Sequence, residues 1–146
     1  MLSIIFSTAM SLTLGALSFS QATLTQKVDQ MISESLERSK TVRSSADKQG
    51  NFKSSYKKIE SLVNGSIMKT EVTEDDLAQA GVHQIVALSL TELVPNKTDQ
   101  GFTQASCTAA LSTLRKAQSD TTKKEPALIQ LRERVQNFIQ AECASD

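Results

Sequence analysis

Among 146 residues there is no tryptophan, one tyrosine and one histidine, and two cysteines supply the only thiols. Aromatic residues amount to 4%, so the chain offers no platform on which nucleic-acid bases would stack. Positive charge is not in excess either: 16 Lys and Arg balance 16 Asp and Glu, and the pI lies near 6.6. Phosphate backbones demand a basic surplus, which argues against a dedicated nucleic-acid binder. Two Cys and a single His fall short of a Cys/His zinc site. Ser and Thr occupy 19 and 14 positions, yet no G-x-S-x-G elbow and no E-x-x-H pattern is present. His83, the one imidazole, falls on the polar side of an expected helix with Gln79 and Gln84. It is expected to be a surface or hydrogen-bonded residue, not a haem ligand or a general base. Together these absences predict a non-enzymatic protein with no metal and no cofactor.

A further absence is positional. No charged side chain precedes Lys27, and ten of the 16 residues from Ile4 to Phe19 are Ile, Leu, Phe, Ala or Met. Ser20-Gln21-Ala22 follows with small residues at the first and third places of an A-x-A-like cleavage site. This pattern predicts a secretory signal peptide over 1–22 and a single mature domain over 23–146, although the Lys or Arg that commonly precedes such a run is missing. Ser7, Thr8, Ser11, Thr13, Gly15 and Ser18 dilute the run below the roughly 20 apolar residues of a membrane span, so none is expected after cleavage. The expected location is secreted or periplasmic.

What the remaining chain does contain is apolar residues at three- and four-residue spacing, without a run that alternates as a strand would. The spacing predicts an all-α fold, a small up-and-down bundle of four to five helices. The first runs over 24–46 with Leu24, Val28, Ile32 and Leu36 on one stripe, fraying toward its end. Asn51 is the expected N-cap of the second, which carries Phe52, Tyr56, Ile59 and Val63 and stops at Asn64-Gly65. The third, over 74–93, opens on Thr73-Glu74-Asp75-Asp76 and is apolar around most of its circumference, the pattern of a helix surrounded by others. Gly81 inside it is expected to allow a close helix crossing. The fourth spans 102–119, and the fifth starts with Pro126 in its first turn. Gly50, Gly65, Pro95 with Gly101, and Pro126 mark the junctions.

In an oxidising compartment Cys107 and Cys143 are expected to pair. Helices four and five, joined by a short loop centred near Lys123, must run antiparallel, and that brings the two cysteines together at the open end of the hairpin. Charge is also unevenly spread. Residues 27–70 carry nine positive and five negative charges, 71–101 one and six, and 102–146 six and five. Arg38, Lys40, Arg43, Lys48, Lys53, Lys57 and Lys58 gather around the first interhelical turn and are the candidate contact for an anionic partner, a protein or an envelope surface. Two N-x-S/T sequons, at Asn64 and Asn96, fall in expected loops. The functional expectation is action by binding, as an adaptor, inhibitor, chaperone-like or envelope-associated protein. A carrier of an apolar ligand is the alternative, and an enzyme stands third.

Overall fold

The computed structural model describes residues 22–118 and 125–143. The predicted leader, apart from its last residue Ala22, and the loop around Lys123 lie outside those residues. Five helices make up the described chain: α1 (Leu24–Ser39), α2 (Ser45–Ser66), α3 (Glu74–Thr91), α4 (Gln104–Lys116) and α5 (Pro126–Cys143). The fold is an all-α bundle whose last two helices form a disulfide-stapled hairpin, as the periodicity implies.

Each helix buries one stripe. Leu24, Val28, Ile32 and Leu36 do so on α1, Phe52, Ile59 and Val63 on α2, and Leu128, Leu131, Val135 and Ile139 on α5. The α3 stripe of Ala80, Val86, Ala87 and Leu90 is extended by half-buried Leu77, Val82 and Ile85. Accordingly α3 packs against all four other helices. Phe52 and Phe138 meet edge to face at 5.4 Å, joining α2 to α5.

Boundaries differ from the sequence expectation where capping outweighs periodicity. The first helix ends at Ser39, and 45–50 belong to α2, because Ser44 takes the N-cap and accepts a hydrogen bond from the Asp47 amide. Asn51 is thus inside α2, where its side chain donates to the Ser35 carbonyl. Gly50 is helical as well and interrupts nothing, whereas Gly65 is the penultimate residue of α2, which stops at Ser66, within a residue of the expected end. Gly81 does not mediate a close crossing: a Cβ added there would meet nothing within 4 Å. The fourth helix begins two residues later than expected, at Gln104 with Thr103 as N-cap, since Phe102 pairs with Pro95 in an isolated antiparallel bridge. That bridge closes a loop in which Asp99 and Gly101 adopt positive φ, 60° and 111°.

Two carboxylates tie helix starts across long sequence distances. Asp99 Oδ1 accepts from the Ala46 amide at 2.8 Å, adding a second cap to α2. Asp76, in the first turn of α3, accepts from the Leu24 and Thr25 amides at 2.8 and 2.9 Å and from the Thr25 hydroxyl. Burial raises the Asp76 pKa, but these hydrogen bonds and nearby Lys27 outweigh it and hold the carboxyl below its usual value. Thr23 and Gln26 complete a capping box at the same end of α1.

Cys107 and Cys143 form a disulfide with their Cα atoms 6.4 Å apart. The cross-link spans 36 residues, for which chain entropy predicts about 4 kcal/mol of stabilisation. Among the described residues no helix is long and apolar enough to cross a membrane.

Candidate functional site

The seven basic residues around the α1–α2 turn divide into two groups. Lys48 is half-buried and forms a 2.9 Å ion pair with Glu142, which fastens α2 to α5. Lys40 pairs with Glu37 at 3.0 Å on the surface. Arg38 lies across the α1–α2 interface, donating to Asn51 Oδ1 at 3.2 Å and to Ser55 Oγ at 3.1 Å. Arg43, Lys53, Lys57 and Lys58 are exposed and make no ion pair among the described residues. Lys53 and Lys57 are one turn apart on the same face of α2, beside Lys58. The acidic residues Glu71, Glu74 and Asp75 are exposed at the other end of the bundle, near the start of α3.

A second polar constellation lies between α1, α3 and α5. His83 is 1% exposed, and its Nδ1 lies 3.0 Å from the Gln79 carbonyl oxygen one turn earlier. Its Nε2 faces Asp29 Oδ2 at 3.6 Å and has no hydrogen-bond partner. The other Asp29 oxygen accepts from Ser33 Oγ at 3.4 Å and lies 3.7 Å from Arg134 Nη2, while Arg134 Nη1 donates to Ser33. A cleft of about 440 Å³ opens above this cluster, lined also by Gln26, Gln30 and Gln130. A second cleft of about 420 Å³ lies along α1 and α5 from Leu36 to Phe138, and Arg134 borders both clefts.

Ser33, His83 and Asp29 do not form a nucleophilic triad. The carboxylate contacts both the serine and the imidazole, and no hydrogen bond links Ser33 to His83, so no base is placed on the hydroxyl. Among the described residues no three His, Cys, Asp or Glu side chains converge as metal ligands.

The sequence left His83 as either a surface or a hydrogen-bonded residue; it is hydrogen-bonded and buried, and its contacts with Asp29 on α1 were not foreseen. Asp29 and Arg134 adjoin the buried Val28 and Val135, so each borders an apolar stripe. That edge position was the one local hint, because no spacing within a helix encodes a contact between α1 and α5. Of the two sequons expected in loops, one lies in a loop and one does not. Asn64 is helical, not in a loop. Asn96 is in the α3–α4 loop, where its side chain accepts from the Thr98 and Gln100 amides and donates to the Gln100 carbonyl. That amide is committed to the turn.

No family model, curated protein or solved structure matches the chain.

Proposed function

We propose that the protein is exported to an oxidising compartment, secreted or periplasmic, and acts there by binding an anionic partner through the exposed cations of α2. The observation that carries this reading is the contrast among the seven basic residues. Lys48 and Lys40 have carboxylate partners, whereas Arg43, Lys53, Lys57 and Lys58 leave their charge to solvent in a chain whose net charge is zero. Unneutralised cations, three on α2 and Arg43 in the turn before it, attract an anionic surface over about a Debye length, roughly 10 Å at 0.1 M salt. The cross-link between Cys107 and Cys143 supports export, since such bonds persist in oxidising compartments. Cleavage after Ala22 would leave the Thr23–Gln26 capping box in place.

The test is co-sedimentation with vesicles of phosphatidylglycerol and phosphatidylcholine, run beside binding to a polyglutamate peptide at 50 and 300 mM salt. Binding to either anionic probe that salt suppresses, and that the Lys53→Glu, Lys57→Glu, Lys58→Glu triple variant loses, is the expected result. Equal binding by the variant overturns the role of this face. An apolar ligand retained in native mass spectrometry would move the function to a carrier. N-terminal sequencing of the product tests export, and an intact Met1 would count against it.

A further inference from the structure

The environment of His83 carries an inference separate from the α2 face. A carbonyl oxygen only accepts hydrogen bonds, so the Gln79 contact at 3.0 Å requires the proton on Nδ1. In the neutral ring Nε2 is then a lone pair. It sits in a residue 1% exposed, has no hydrogen-bond partner and points at Asp29 Oδ2, another acceptor, 3.6 Å away. With the ring neutral, two acceptors confront each other out of bulk water and repel; a proton on Nε2, which would make the contact an ion pair, or a metal cation between the two atoms removes that repulsion.

We propose that His83 Nε2 and Asp29 Oδ2 are the two protein ligands of a late first-row divalent cation, such as zinc, held between α3 and α1 at the floor of the cleft. Bonds of about 2.1 Å to each atom would span the 3.6 Å gap with an angle of about 120° at the metal, close to tetrahedral. The surroundings match what orients such ligands. The imidazole donates its other nitrogen to a backbone carbonyl, and the non-ligating carboxylate oxygen is held by Ser33 and approached by Arg134. His83 and Asp29 both line the cleft, beside Gln30 and Gln130, so water from the cleft would fill the remaining coordination positions; the Gln26 side-chain oxygen is already committed to the Thr23 amide. An imidazole–carboxylate pair selects zinc, cobalt or nickel over magnesium and calcium, which prefer oxygen alone. This is a carboxylate–imidazole site, so the shortage of cysteine and histidine that excludes a Cys/His zinc site does not exclude it.

Zinc chloride titrated into the full, disulfide-intact chain tests the assignment by calorimetry and by NMR of the histidine ring. His83 is the only histidine, so a shifted imidazole signal has one origin. One saturable equivalent with a perturbed His83 ring is expected. His83→Gln should abolish it, and isosteric Asp29→Asn should weaken it at least tenfold. Arg134, half exposed, contributes a competing positive charge, so Arg134→Gln should tighten binding severalfold. The ring signal of the unsubstituted chain decides the question even where a variant fails to fold. Absence of saturable binding, an unperturbed ring, undiminished binding by folded His83→Gln, or weaker binding by Arg134→Gln would each overturn the site.

Discussion

A glycine in mid-helix costs stability relative to alanine because it has more backbone freedom to lose on folding. The cost is retained where a neighbouring backbone needs the space, which was the sequence-based reason for Gly81. The structure removes that reason, since a Cβ at Gly81 or Gly50 meets nothing within 4 Å and both residues lie inside helices without positive φ. Gly81→Ala and Gly50→Ala should each stabilise the fold by about 0.5–1 kcal/mol, visible as a melting midpoint raised by a few degrees. An unchanged or lowered midpoint would mean that residue 81 or 50 faces something the helix geometry does not show. Whether a small residue serves packing or merely tolerates its place depends on what stands opposite, and a single sequence does not encode that.

At the scale of the helix, periodicity identified all five elements, and capping decided where they begin. Thr73 ahead of three acids was legible because cap and apolar stripe start together. The α1–α2 junction was not, because Ser44 starts a helix whose first buried large side chain, Phe52, comes two turns later. Cross-chain caps were invisible for a related reason: Asp76 reads as an ordinary first-turn acid of α3, yet it also anchors the start of α1. Its carboxyl titrates below the usual value in the folded state. The stabilisation from the charged form is therefore complete above the unfolded value of 3.8 and is lost as pH falls through the lower folded value. Asp76→Asn should destabilise the protein at pH 7 by about 1 kcal/mol, as loss of a cap does, and the gap from the parent should shrink below about pH 4. Equal pH dependence of the two melting curves would show that the carboxylate does not couple α1 to α3.

For the whole molecule, the bundle and its staple were legible because both follow from chain geometry. A short connection makes α4 and α5 antiparallel, and the cysteines sit near the distal end of each. The candidate site was legible only in part. A charge map finds exposed lysines on α2, but it does not reveal that Lys48 belongs to Glu142 on α5 or that Asp29, His83 and Arg134 meet from three helices. The disulfide constrains only α4, α5 and their connection, while the core residues of α1, α2 and α3 lie outside the closed loop. Cys107→Ser should thus lower stability by up to about 4 kcal/mol, and the midpoint by about 10 °C or more, while far-ultraviolet dichroism retains the helical content. Both cysteines are buried, at 3% and 7% exposure, so the substitution also changes packing. Reducing the parent protein separates the two effects. If the cross-link dominates, reduced parent and oxidised variant melt within a few degrees of each other. If the reduced parent melts with the oxidised parent, the staple contributes nothing and the hairpin is held by Leu114, Leu128, Leu131 and their neighbours alone.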